Sequence, residues 1–231
     1  MLKIRKAEER GGGNHGWLDT KHTFSFSDYY DPEHMGFRAL RVINEDRITP
    51  AAGFPTHGHR DMEIISYVLE GALAHRDSMG TGSVIRPGDV QKMSAGTGVT
   101  HSEFNNSKTE GARFLQIWIV PEAKNLPPNY DQKAFGDARK NQLCLVASRG
   151  GDAGSLKVAQ DMRLWATVLE PGVQVTHQPG TYKYGWLQVA NGSVELNGQT
   201  LQQGDGVAIT DEATLTIKAL SSAEVLVFDL A

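Results

Sequence analysis

The chain has 231 residues, and 23 Lys plus Arg against 27 Asp plus Glu give a formal charge of −4. That balance excludes nucleic-acid binding driven by a strong basic field, because such binding works by neutralising phosphates. A single cysteine, Cys144, excludes disulfide scaffolds and cysteine-rich zinc modules, while 39% hydrophobic and 22% charged residues suit a folded globular protein rather than a disordered one.

The opening MLKIRKAEER is charged and has no apolar stretch of the signal-peptide kind. The longest apolar runs, such as FLQIWIV, are too short to span a bilayer, so a cytoplasmic location without membrane contact is expected. Gly11-Gly12-Gly13 lacks the Lys-Ser/Thr of a phosphate loop and reads as a flexible lead-in. His15, His22 and His34 fall in the next stretch without ligand spacing and are expected to be structural, with pocket lining as the alternative, while Asp19, Asp28 and Asp31, among aromatics, are expected in turn or cap roles. Short runs rich in Val, Ile, Leu and aromatics, bounded by Gly, Pro, Asn and Asp, then recur at 63–71, 112–121, 185–198, 204–210 and 223–230, the pattern of strands in an all-β protein. Asn191-Gly192 and Asn197-Gly198 read as two-residue hairpin turns, which need positive φ.

A faint internal repeat links YVLEGALAHRD with RPGDVQKM (67–93) to WLQVANGSVELNG with QQGDGVAI (186–209). Between the copies lies the polar segment 121–142, which contains Pro127-Pro128. The expected division is therefore an N-terminal domain 1–125, a linker 126–142 and a C-terminal domain 143–231.

Chemistry concentrates in the first half. His57-Gly58-His59 and His101-Ser102-Glu103 are two i, i+2 pairs, and a strand aims such pairs at one face. If the two strands face each other, His57, His59, His101 and Glu103 converge as nitrogen and oxygen ligands, and Glu63 has the parity to be a fifth. This thiolate-free set suits Fe, Mn, Ni, Cu or Zn and leaves positions open on an octahedral ion. His75 reads as a hydrogen-bonded structural histidine, and Cys144 as an unreactive thiol. A shift of 120 residues places His177 over His57, but Pro179 over His59 and Lys183 over Glu63, so His177 reads as structural.

HGHRDME (57–63) with Gly71, and GTGVTHSEFN (96–105), resemble the two motifs of the cupin superfamily. More specifically, HGWLDTKHTFSFSDYYDPEHMGFRALRVINED (15–46), HGHRDMEIISYVLEG (57–71) and MSAGTGVTHSEFN (93–105) resemble the pirins of the bacterial, quercetin 2,3-dioxygenase-like branch, over nearly the whole chain. The resemblance implies a bicupin: two β-barrel (jelly-roll) domains packed face to face, with a metal only in the N-terminal one. It implies one divalent transition metal, Fe(II) first, with Zn, Ni, Mn, Cu or Co as alternatives. His57, His59, His101 and Glu103 match the family's ligands, with Glu63 behind them orienting an imidazole.

Two functions follow from the resemblance. One is an oxidoreductase that inserts O2 into a flavonol such as quercetin with loss of carbon monoxide. Glu103 is its candidate base and Glu63 the reserve, and Phe54, Met93, Phe104 and Trp118 are candidate walls for a flat substrate. The other is a metal-bearing, redox-sensing regulatory protein that acts through a protein partner.

Overall fold

Twenty-two strands and three short 3-10 turns make up the regular structure of the computed structural model, which describes residues 1–231. They fall into two units. One comprises Gly11–Ala134 with Val158–Gln160, the other Met1–Arg10, Phe135–Lys157 and Asp161–Ala231. Each unit holds a seven-stranded and a four-stranded sheet. The sheets are separate ladders, so each unit is a two-sheet jelly-roll sandwich rather than a closed barrel.

In the N-terminal unit the large sheet runs Asn129–Ala134, Asp89–Ser94, Glu63–Glu70, Ala112–Ile119, Leu40–Ile48, Leu18–His22, Gly11–Asn14, every neighbour antiparallel. The small sheet runs Gly53–His59, Val99–Asn105, Leu73–Asp77, Gly82–Ile85. Leu18, Ile48, Val68 and Phe114 from the large sheet meet Leu73 and Ile85 from the small one in a common core, the layering that lets each sheet bury one face. The C-terminal unit has its own core around Leu187, Val207, Leu215 and Val227.

The internal repeat is visible as topology. Glu63–Glu70 stands third in its large sheet and Leu73–Asp77 third in its small one, and Tyr184–Asn191 and Ser193–Leu196 stand third in theirs. The glycine between each pair is a corner between sheets. Asn191-Gly192 is therefore not the hairpin turn expected from its sequence, because the strands on either side of it belong to different sheets. Asn197-Gly198 is one: Leu196 pairs with Gln199, and φ is +45° and +84° at the two central residues.

The division differs from the expected one at both ends. Asn129–Ala134, placed in the expected linker, is an edge strand on Asp89–Ser94. Leu2–Arg5 pairs with Gly206–Thr210 and so belongs to the C-terminal unit. In both places a short strand satisfies the open backbone row of a sheet edge. No helix is long and apolar enough to cross a membrane.

Candidate metal centre

Period-two alternation in Val99–Asn105 buries Val99, His101, Glu103 and Asn105 and turns Thr100 and Phe104 outward. The neighbouring strand Gly53–His59 runs antiparallel, with His57 opposite His101 and His59 opposite Val99. The strands that carry the candidate ligands are thus adjacent in one sheet, rather than facing each other as the sequence reading supposed. Opposite the regular step from His101 to Glu103, the strand Gly53–His59 carries one extra residue between Phe54 and His57, a bulge beside the cluster.

The three imidazoles come together. Their ring centroids lie 4.5–4.9 Å apart, and one ring nitrogen from each lies within 4.8 Å of the others. His101 Nε2 is 3.1 Å from His57 Nε2, close to the roughly 3 Å between two donors held at right angles about 2.1 Å from one ion. His57 Nδ1–H donates to the Pro55 carbonyl at 2.8 Å, which leaves the Nε2 lone pair facing the cluster. Burial first, and the charge of His57 second, lower His59 to about 4 and His101 to about 3. Both rings are therefore neutral at pH 7, the form that binds a metal.

Glu103 joins this cluster through His101. His75, His101 and Glu103 each bring one donor atom within 4.8 Å of the others. The Glu103 carboxyl accepts from Ser66 Oγ at 2.8 Å and from Gln116 Nε2. Burial pushes it up to about 7, opposed by the Ser66 and Gln116 bonds and reinforced by the charge of Asp46. A cation beside it favours the ionised form.

His75, read from sequence as structural, is buried here, with Nε2 3.1 Å from Asp77 Oδ2 and its ring 5.3 Å from that of His101. Register places His75 opposite Glu103 and Asp77 opposite His101. The signal was another i, i+2 pair, legible only once its partner strand is known.

Glu63 faces away from the cluster. On Glu63–Glu70, Ser66 touches Glu103 and Ile64 lines the cavity, so Glu63 has the other parity. Its Oε2 accepts from Ser94 Oγ at 2.9 Å and the Ala159 N–H at 3.2 Å. The parity shared with His59 in sequence is lost because the chain turns at Asp61, with φ +49°, into the other sheet.

A cavity of about 350 Å³ opens over the cluster, lined by His57, His59, His101 and Glu103 and walled by Phe26, Tyr29, Phe54 and Trp118. Trp118 packs edge-on against His59 and Phe26, at 5.0 and 5.3 Å. Of the four candidate wall residues, Phe54 and Trp118 line the cavity. Met93 is instead buried in a cluster with Ile64 and Val99, and Phe104 is 39% exposed on the outward face of its strand. His15, His22 and Asp28 also line the cavity, as do Phe26 and Tyr29 of the aromatic stretch FSFSDYY.

Three imidazoles and a carboxylate without thiolate fit a divalent transition ion. In the C-terminal unit, His177 Nε2 instead pairs with Asp229 Oδ1 at 2.7 Å, and Asp229 Oδ2 also accepts from Trp165 Nε1 at 2.8 Å. This is the satisfied structural histidine that the sequence suggested.

Residues 3–119 match the family model described as Pirin, and 145–230 the one described as Quercetinase C-terminal cupin domain. The chain is 50% identical to a quercetin 2,3-dioxygenase of Escherichia coli K12 over 100% of its own length and 99% of that protein's. It is 42% identical to a pirin-like protein of Caulobacter vibrioides, with 100% of both chains covered. The crystal structure of the bacterial pirin YhhW from Escherichia coli in complex with nickel(II) superposes with a TM-score of 0.94 at 50% identity, covering 100% of this chain and 99% of that one.

Proposed function

The chain belongs to the pirin family, and from that premise we propose that it is a metal-dependent dioxygenase that cleaves a flavonol such as quercetin with O2 and releases carbon monoxide. The observation that supports this reading is the convergence of His57, His59 and His101, with Glu103 behind them, at an aromatic-walled cavity large enough for a flat ligand. In this reading His57, His59, His101 and Glu103 hold one divalent transition ion, for which Fe(II) and Ni(II) both suit the donor set. Bound there, the ion supplies Lewis acidity that stabilises an enol oxygen as its anion.

The chain's own residues do the rest. Glu103, held by Ser66 and Gln116, receives the enol proton. Trp118, Phe26 and Phe54 orient the flat ring and exclude water. His57 is held in one tautomer by the Pro55 carbonyl.

The test is elemental analysis of anaerobically purified protein, followed by oxygen uptake and carbon monoxide release on adding quercetin. The expected result is one equivalent of a redox metal and metal-dependent turnover in wild type, both lost in His101→Ala. A full metal complement with no oxygen uptake would overturn the enzymatic reading and favour a metal-bearing regulator that works through a protein partner. Wild type that takes up no metal would overturn the ligand assignment.

A further inference from the structure

The inner face of the large N-terminal sheet carries a polar row where a sandwich core is ordinarily apolar. Register sets His22 opposite Asn44, Asn44 opposite Gln116, Gln116 opposite Ser66 and Ser66 opposite Gln91. None of the five is more than 8% exposed. In the next row Thr20 lies opposite Asp46, and Thr20 Oγ1 donates to Asp46 Oδ1 at 2.5 Å.

Ser66 and Gln116 have a clear task, since both donate to Glu103. Asn44 and Asp46 do not share it, yet both line the cavity. Asn44 is 4% exposed, and its Oδ1 has no hydrogen-bond partner. Gln116 Oε1 is a second buried acceptor without a partner, and its orientation is fixed because the Nε2 of the same amide donates to Glu103. A buried acceptor left unsatisfied costs about 1–3 kcal/mol, so such groups at a cavity wall point to a ligand that brings donors. Phe26 and Trp118, also in the cavity lining, offer ring faces and edges to a planar molecule.

We propose that Asp46 and Asn44 form the polar anchor that selects hydroxyl-bearing aromatic ligands in this cavity, apart from the metal ligands. The inference rests on the reading of the cavity as the flavonol site and assigns the residues that set its specificity. A ligand hydroxyl donates to Asn44 Oδ1 or to the Asp46 carboxyl, which Thr20 holds in place. Burial pushes Asp46 up to about 7, so near neutral pH the group both accepts and donates. A site built to bond a hydroxyl discriminates strongly against the analogue that lacks it, because its own polar groups are then left unpaired.

The experiment is anaerobic titration of nickel-loaded protein with quercetin and with 3-hydroxyflavone, followed by tryptophan quenching. The second ligand keeps the enol and lacks the outer-ring hydroxyls. Wild type is expected to prefer quercetin by about tenfold or more. Asp46→Leu and Asn44→Leu should each bring the ratio to within about twofold of one at unchanged metal content. Asp46→Asn, which retains a partner for Thr20, serves as the folded control and should give an intermediate ratio. Equal affinities in wild type, or a preference unchanged in Asn44→Leu and Asp46→Asn, would overturn the proposal. Loss of discrimination in the variants together with absent oxygen uptake in wild type would support the anchor and remove only the dioxygenase reading. Oxygen uptake with unchanged discrimination would remove only the anchor.

Discussion

Asp46 is 3% exposed, and burial is the main cause that pushes its carboxyl up to about 7, with the Thr20 hydrogen bond opposing and the charge of Glu45 adding. Between roughly pH 4 and 7 the unfolded chain has released this proton and the native state has kept it. Stability from this group is therefore present at low pH and falls as pH rises, by about 1.4 kcal/mol per unit. His59 and His101 act in the opposite sense in the metal-free protein: they stay neutral to about 4 and 3, so the unfolded chain binds more protons below about pH 6.5 and stability falls as pH drops. The prediction is that Asp46→Asn, in metal-free protein, raises the urea midpoint at pH 7–8 and gives little gain near pH 4. Urea unfolding across that range checks it, and a gain independent of pH would mean that packing, not the carboxyl, is responsible. A residue that weakens the fold at neutral pH while lining a cavity fits the trade-off common at binding sites.

The corner between paired strands shows what an element requires of single positions. Gly192 has φ +70°, and a Cβ there would overlap the Ser222 carbonyl oxygen, whereas Gly198 has φ +84° and open space around it. Gly198→Ala should cost about 1–2 kcal/mol from the left-handed backbone alone. Gly192→Ala adds a steric conflict and should cost about 3 kcal/mol or more. Chemical denaturation of the two variants checks the ordering, and equal losses would show that the corner yields without strain. Both glycines were legible as turns, but not which one joins strands of a single sheet, because Asn-Gly specifies backbone angles and not the partner of the next strand. The same boundary separates His101 and Glu103 from Glu63. The first two lie in one strand, where alternation alone sets the face. Glu63 follows a turn at Asp61 that resets parity. His75 keeps the hydrogen-bonded structural role read for it, on Asp77, while its approach to His101 depends on a register between strands that no local pattern specifies.

At the scale of the molecule, the matching strand orders of the two units make the repeat a statement about folding units as well as sequence. In the N-terminal unit the edge beside Asp89–Ser94 is covered by Asn129–Ala134. The corresponding edge of the C-terminal unit, beside Gly206–Thr210, is covered by Leu2–Arg5 from the far end of the chain. Such long-range pairing leaves no local signal, which is why residues 1–10 read as part of the first domain. Leu2 and Ile4 pack on the C-terminal core. Behind them, the buried Asp205 carboxylate takes Lys6 Nζ at 3.0 Å and the Ala7 N–H at 2.8 Å. Removing residues 1–10 strips apolar cover and leaves Asp205 with the Gln202 N–H at 3.0 Å, a loss on the order of 3 kcal/mol or more. Hydrogen exchange on the truncated chain should therefore show lost protection at Gly206–Thr210 and Tyr184–Asn191, with Val99–Asn105 still protected. Uniform loss in both units would mean that they unfold as one cooperative body, and unchanged protection would mean that the terminal strand is dispensable, because only an edge that the fold depends on transmits its loss to the strand beside it.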